Sequence, residues 1–130
     1  MKAYTDLEQS KKLAEILPLE SADMCYIKHS SSDNPNWEFN EDFPPMILGN
    51  VPINEITAET LPCWSLASLL DVLPDTITNN NGIAFKLNIK KNIIEYSNPS
   101  LYLIHKFVKS DNLIDACVEM IIKLNKLKML

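Results

Sequence analysis

The chain has 130 residues, of which 46 % are hydrophobic and 22 % are charged, proportions that are typical of one globular domain over residues 1–130 and exclude a disordered protein. Its 12 basic residues are all lysines and stand against 17 carboxylates, for a formal net charge of −5. With no arginine and only 2 glycines, the chain lacks the side chains and turns that usually grip phosphate, which disfavours nucleotide and nucleic-acid chemistry.

The first predicted element is a helix. Thr5 as N-cap and Glu8 three residues later have the spacing of a capping box. Apolar residues recur on one face as far as Leu17, and Pro18 ends the helix because the residue before a proline avoids the helical conformation. The following segment, residues 24–28, is predicted to be a strand.

Residues 29–62 show no convincing periodicity and contain several prolines, so they are predicted to form one long connection. A connection of this length inside a compact domain is unusual and is often functional. Its middle carries aromatic residues between carboxylates, which makes it the candidate partner-binding segment. The candidate residues are Trp37, Glu38, Phe39, Glu41, Asp42 and Phe43. Two interpretations stay open: the aromatic side chains hold the loop against the domain, or they form an exposed recognition surface.

The second predicted helix is short. Ser65 can cap it, Trp64 can pack against Leu69 as a hydrophobic staple, and Pro74 ends it. Because almost every residue between these signals is apolar, we expect the helix to be central and mostly buried.

A β-hairpin is predicted next, because apolar and polar residues alternate over residues 83–90. If Lys91 and Asn92 form a two-residue turn, Asn92 can adopt the positive φ that such turns require. We expect Ile89 and Ile94 to be buried opposite each other. The same register places Leu87 opposite Tyr96, and Asn88 opposite Glu95.

A third strand is predicted over residues 101–108, and the last helix begins near Ser110-Asp111-Asn112, any of which can be its N-cap. The apolar stripe of this helix is wider than one sheet face requires, because Ile114, Ile121 and Ile122 flank the main row. We therefore expect that any exposed apolar surface on this helix is used for self-association into a homodimer.

These elements predict an α+β fold with about three helices and one antiparallel sheet of three to four strands. Their order is α, β, long loop, α, β, β, β, α.

The three cysteines are odd in number, widely spaced and set among apolar residues, so we expect reduced, buried thiols. They are Cys25, Cys63 and Cys117. A thiol enzyme would need His29 or His105 beside one of them, and no sequence signature places a histidine there.

The carboxylates raise a second possibility, a site for a divalent metal ion. The carboxylates that could form one are Glu8, Glu15, Glu20, Asp23, Asp111 and Asp115. Neither a zinc-protease motif nor an EF-hand loop is present, and helix-surface carboxylates usually face water. We expect no catalytic residues, no metal and no cofactor.

Charge is distributed unevenly along the chain, since the last third is rich in lysine and the middle in carboxylates. A small-ligand or nucleic-acid-binding module could use Lys86, Lys90, Lys106 and Lys109. No apolar stretch is long enough to cross a bilayer and the N-terminus lacks a signal-peptide pattern, so we expect a cytoplasmic protein without a membrane partner.

Three segments resemble small uncharacterised proteins from Bacteroides-type gut anaerobes: residues 4–18, 61–70 and 111–121. Such proteins are often associated with prophages and other mobile elements. The resemblance implies a cytoplasmic accessory protein and transfers no site residue.

Together these observations favour a non-catalytic accessory protein of a mobile element that binds another protein. Its acidic stretch, residues 29–75, would steer a basic partner, with Trp37, Phe39 or Phe43 as anchors. The alternative is the lysine-dependent ligand or nucleic-acid module, although the acidic balance makes nucleic acid the less favoured partner.

Overall fold

The computed structural model describes residues 2–29, 37–40 and 58–130. Within these ranges the helices are α1 (Leu7–Ala14), α2 (Leu66–Val72) and α3 (Leu113–Lys126). The strands are β1 (Met24–His29), β2 (Glu38–Asn40), β3 (Ala58–Cys63), β4 (Thr76–Thr78), β5 (Ala84–Lys90), β6 (Ile93–Asn98) and β7 (Leu103–Lys109). Short 3₁₀ turns occupy Leu19–Ser21 and Pro99–Leu101. The predicted α+β class is confirmed.

The described strands form two antiparallel sheets, whereas the sequence predicted one. The first sheet has the order β2-β1-β3 and the second has the order β4-β5-β6-β7. The first sheet was missed because β2 and β3 lie within the stretch that lacks periodicity. Strand β2 has only three residues, and β3 contains Pro62, which is unusual inside a strand.

The chain divides into two compact units. The N-terminal unit is Tyr4–Ser68, and the C-terminal unit comprises Met1–Ala3 with Leu69–Leu130. Each unit contains one of the two sheets. A single domain over residues 1–130 stays a prediction.

In the N-terminal unit, α1 starts one residue later than the sequence predicted. Asp6 is the N-cap: its side chain accepts a hydrogen bond from the Gln9 amide, and the Gln9 side chain accepts one from the Asp6 amide. The predicted cap Thr5 is instead fully buried. Its hydroxyl accepts a hydrogen bond from the Trp64 amide and so links the start of α1 to the end of β3.

Helix α2 begins after Ser65, as predicted, and the Ser65 hydroxyl accepts a hydrogen bond from the Ser68 amide. The helix is less buried than expected, since Ala67 and Asp71 are exposed while Leu69 is fully buried. With seven residues the helix makes about two turns, so only one stripe of its surface can be covered.

The hairpin of β5 and β6 has the predicted register, with Leu87 opposite Tyr96 and Ile89 opposite Ile94. Two details differ. Positive φ occurs at Lys91 (44°) and not at Asn92, and Ile89 is 37 % exposed. Ile89 is exposed because α3 packs mainly on β6 and β7, where it covers Ile94.

Strand β7 begins at Leu103, two residues later than predicted, because a 3₁₀ turn precedes it. The Asn98 side chain caps this turn by accepting a hydrogen bond from the Leu101 amide, and Tyr102 has left-handed backbone with φ 53°. One extra residue, His105, interrupts the pairing of β7 with β6 as a β-bulge.

Helix α3 begins after Asn112, whose side chain accepts a hydrogen bond from the Asp115 amide. Its wide apolar stripe is used inside the protein: Ile114 and Ile121 are buried and Ile122 is half-buried. These isoleucines therefore leave little apolar surface exposed, and self-association stays a prediction.

Candidate functional site

Strand β7 is the last strand of its sheet, so one of its edges faces away from β6. The Ser110 amide donates a hydrogen bond to the Asn92 carbonyl. Because alternate residues of an antiparallel strand bond to the same neighbour, the backbone groups of Lys106 and Val108 also face β6. The backbone groups of Phe107 and Lys109 face away from β6. Among the described residues, the only hydrogen bond to this outer edge comes from the Lys123 ammonium to the Phe107 carbonyl, at 3.5 Å.

The two faces of β7 differ in chemistry. Ile104 lies opposite Ser97, and Phe107 lies opposite Glu95. Because alternate residues of β6 share a face, Ile104 and Phe107 also share one, and the bulge at His105 explains their spacing of three. Lys106 lies opposite the buried Tyr96, on the other face, which α3 covers.

Large apolar side chains are exposed along and just before this edge strand. We call them the edge surface: Leu101, Tyr102, Leu103, Ile104 and Phe107. Each is at least 43 % exposed, and Tyr102 is 95 % exposed. Edge strands usually hide such residues because an apolar, unpaired edge is a template for another strand. Covering the edge surface with another molecule would therefore be more favourable than leaving it exposed to water.

A groove of about 420 Å³ lies beside the edge surface, between β7 and the C-terminal turn of α3. Its lining residues, which we call the lysine groove, are His105, Lys106, Phe107, Lys123, Lys126 and Leu127. Three of them are lysines and none is a carboxylate. None of the three ammonium groups forms an ion pair with a described residue, so the groove carries uncompensated positive charge.

His105 has a buried polar atom without a hydrogen-bond partner among the described residues. This atom is Nε2, and the ring of His105 lies 4.9 Å from the Phe85 ring. Burial, together with the positive charge of Lys106, lowers the pKa of His105. The imidazole is therefore held neutral near pH 7.

The segment predicted from the sequence as the partner-binding site is only partly described. The Phe39 ring stacks on Tyr4 with a centroid distance of 3.9 Å and meets Tyr26 edge-on at 5.9 Å. The Trp37 ring lies 5.9 Å from the Lys28 ammonium, and Glu38 is exposed. The remaining candidates lie outside the described residues: Glu41, Asp42 and Phe43.

These contacts bear on the two interpretations that the sequence left open. Trp37 and Phe39 contact residues of the N-terminal unit, as expected if aromatic side chains hold the segment in place. Phe39 is nevertheless 38 % exposed, so part of its ring can contact another molecule. Recognition through this segment stays a prediction.

All three cysteines are free and buried, which confirms the expectation of buried thiols. The Cys63 thiol donates to the Thr5 carbonyl at 3.4 Å inside the N-terminal unit. Burial raises the pKa of Cys63, and burial raises that of Cys117 to about 12. A nucleophilic cysteine needs the opposite shift, because the thiolate is the reactive form.

The carboxylates considered as metal ligands are dispersed. Asp23 accepts hydrogen bonds from the backbone amide and the hydroxyl of Ser65, and Asp115 forms an ion pair with Lys2 at 2.7 Å. Within the described ranges, no group of three or more potential ligands lies close enough to hold a metal ion.

The lysines proposed as an alternative site are divided between two faces of the sheet. Lys86, Lys90 and Lys109 share the open face with Phe107, since they pair with Ser97 and Ile93 of β6. Lys106 lies on the opposite face, beside α3.

No known protein family, curated protein or solved structure matches this chain. The resemblance to proteins of gut anaerobes therefore stays a prediction. In the part of the chain that the structure describes, no helix is long and apolar enough to span a membrane.

Sequence reasoning missed the edge surface. The signal was present as four consecutive apolar residues, Leu101 to Ile104, followed by Phe107. A strand that is covered on one face buries only every second residue, so a continuous apolar run that enters such a strand must leave part of the run exposed.

Proposed function

We propose that the protein is a non-catalytic binding module that holds another protein along the edge surface of β7. The exposed apolar row on an unpaired strand edge carries this proposal. Large apolar side chains gain about 1.5–3 kcal/mol each when they are fully transferred out of water, so covering several of them favours association. The resemblance in sequence adds the proposal that the protein is an accessory factor of a mobile element.

The acidic segment of the N-terminal unit is a second contact region in this proposal. Glu38 is exposed, and this unit contains three lysines and eleven carboxylates, a net charge of −8. Such a field attracts basic surfaces and accelerates their approach more than it tightens the final complex. Phe39, which is 38 % exposed, supplies an apolar contact within the same segment.

Nucleic-acid binding is the second candidate function. Lys86, Lys90 and Lys109 share the open face of the sheet with the exposed ring of Phe107, an arrangement that resembles a stacking platform with phosphate contacts. The C-terminal unit carries nine lysines and six carboxylates, a net charge of +3, which also favours an anionic partner.

Site-specific photocrosslinking in the native host separates these candidates. A photoreactive phenylalanine analogue replaces Phe107 in one strain and replaces Glu8, which is exposed on α1, in a control strain. We expect a discrete protein adduct from position 107 that is absent from position 8. Adducts with RNA or DNA alone would favour the nucleic-acid function, and the absence of any adduct specific to position 107 would contradict both.

A further inference from the structure

We infer that the partner contributes an extended segment of alternating apolar and acidic residues, which adds to β7 as a fifth strand of the sheet. This inference rests on the proposed function and specifies the chemistry of the partner segment that pairs with β7, which is distinct from the basic surface that the acidic segment attracts.

The backbone of β7 supplies the first part of the argument. The outer edge presents the amide and carbonyl groups of Phe107 and Lys109, and only the Phe107 carbonyl has a partner among the described residues. That partner is an exposed lysine side chain at 3.5 Å, a long and readily exchanged hydrogen bond. An incoming strand can replace it with regular backbone hydrogen bonds.

The two faces of β7 supply the alternation. A strand added beside β7 points successive side chains to opposite faces of the sheet. On the open face its side chains lie next to Ile104 and Phe107, which favours apolar residues. On the other face its side chains extend over the lysine groove, where Lys106, Lys123 and Lys126 favour carboxylates.

The same charges argue against a second copy of this chain as the occupant. Pairing two β7 strands edge to edge would bring two lysine grooves together, and like charges placed across an interface oppose association. Lysines on an edge strand are a common device against self-pairing. Here the lysines repel a second copy of β7 and attract an acidic strand. The same side chains therefore oppose self-association and select the partner.

Designed peptides test this inference with the purified full chain. The probe is an eight-residue peptide that alternates valine and glutamate, with blocked ends and a fluorescent label. A peptide of identical composition with four valines followed by four glutamates controls for charge, and a valine–lysine alternation controls for sign. Fluorescence anisotropy gives the affinities, and amide hydrogen exchange locates the bound peptide.

We expect the alternating acidic peptide to bind at least about tenfold more tightly than either control. The exchange of the Phe107 and Lys109 amides should slow, while that of β4, the opposite edge of the sheet, should not change. The double variant K123Q/K126Q should weaken binding about tenfold or more, because charged contacts are lost. The matched variant K86Q/K90Q removes the same charge from the open face and should have a smaller effect. Thermal unfolding of both variants checks that each one folds.

Several results would overturn the inference. Equal binding of the alternating and block peptides would show that charge alone is read. Stronger effects of K86Q/K90Q than of K123Q/K126Q would place the site on the open face. Displacement of the peptide by a single-stranded oligonucleotide at lower concentration would favour a nucleic-acid partner. A dimer without peptide, with slow exchange at Phe107, would identify a second copy as the occupant.

The outcome is separable from that of the proposed function. A protein adduct at position 107 together with failure of the alternating peptide would leave the binding module in place and remove only the fifth strand. Loss of both signals would remove both proposals.

Discussion

At the scale of single residues, Thr5 is the clearest example of a side chain with a role that its sequence context does not reveal. Its hydroxyl lies 2.8 Å from the Ser10 hydroxyl and accepts a hydrogen bond from the Trp64 amide at 3.1 Å. The Tyr26 hydroxyl donates to the Thr5 carbonyl at 2.7 Å. Thr5 and Ser10 are fully buried, so each of these polar groups needs its partner.

Replacing Thr5 by valine keeps the shape of the side chain but removes the hydroxyl. The Trp64 amide would then be buried without its partner, and we expect the free energy of unfolding to fall by about 1–3 kcal/mol. Thr5→Ser retains the hydroxyl and loses one methyl group, at a cost of about 1 kcal/mol. Urea denaturation of both variants measures the difference. A smaller loss for Thr5→Val than for Thr5→Ser would mean that packing, and not hydrogen bonding, determines the role of Thr5.

His105 provides a prediction of pH dependence. Since its pKa is lowered in the folded state, the unfolded chain takes up the proton first as the pH falls. The contribution of His105 to stability is therefore complete above the unfolded pKa of about 6.5 and is lost as the pH falls toward the folded pKa. The charged side chains that line the same groove are lysines.

The measurement is urea denaturation at pH 8 and at pH 5.5 for the native chain and for His105→Gln. Because the two proteins differ only at residue 105, the difference between their pH dependences isolates the histidine. We expect the native chain to lose more stability on acidification than the glutamine variant does. Parallel pH profiles would contradict this.

At the scale of elements, the turn between β5 and β6 departs from the expected residue preference. Lys91 has φ 44°, a left-handed conformation that costs a residue with a side chain about 1–2 kcal/mol. We expect Lys91→Gly to raise the free energy of unfolding by up to about 1 kcal/mol, after the greater chain entropy of glycine is subtracted. Lys90 is the last residue of β5, and Lys90→Gly should lower the free energy of unfolding by about 0.5–1 kcal/mol. Thermal unfolding of the two variants should shift in opposite directions.

The start of α3 gives a second prediction at this scale. The sequence left Ser110, Asp111 and Asn112 as alternatives, and the structure assigns the cap to Asn112. Asn112→Ala should therefore cost about 1 kcal/mol of unfolding free energy, because the Asp115 amide loses its acceptor. Asp111→Ala, a neighbour whose side chain does not cap the helix, should cost much less. Equal costs in chemical denaturation would contradict the assignment.

At the scale of the whole molecule, the feature that matters is the exposed edge of β7 with its flanking lysines. The sequence led us to expect a homodimer formed through the last helix, but the isoleucines that suggested it are largely covered. The edge surface could in principle support self-association, and the lysine groove opposes it. A homodimer through the last helix would form in low salt, whereas association through the edge surface would require salt to screen the lysine grooves.

We expect a monomer at tens of micromolar in low salt, with more association as the salt concentration rises. The Debye screening length falls from about 10 Å at 0.1 M salt to about 3 Å at 1 M, and this weakens the repulsion between two lysine grooves. Light scattering across this range tests the expectation, with Ile104→Ser as the variant that should associate less. A dimer that is already present in low salt would contradict it and support the homodimer.

The sequence by itself determined the elements whose information is local. Alternation over residues 83–96 was sufficient for the hairpin register, because a shift of one residue would move every apolar side chain to the wrong face. Apolar spacing and an N-cap near residue 112 were sufficient for α3, and Pro74 limited α2, whereas the prediction that α1 extends to Pro18 is wrong, since this helix ends at Ala14. These signals lie within a few residues of the structure that they specify.

Only the tertiary structure decided which strands meet and which surfaces remain uncovered. Strand β1 pairs with β2 and with β3, which is separated from it by about thirty residues, and no local pattern encodes that pairing. The burial of Thr5, the exposure of Ile89 and the free edge of β7 depend on where neighbouring elements end. The candidate site belongs to this second class, because an edge strand and an interior strand share the same local sequence preferences and differ only in their neighbours.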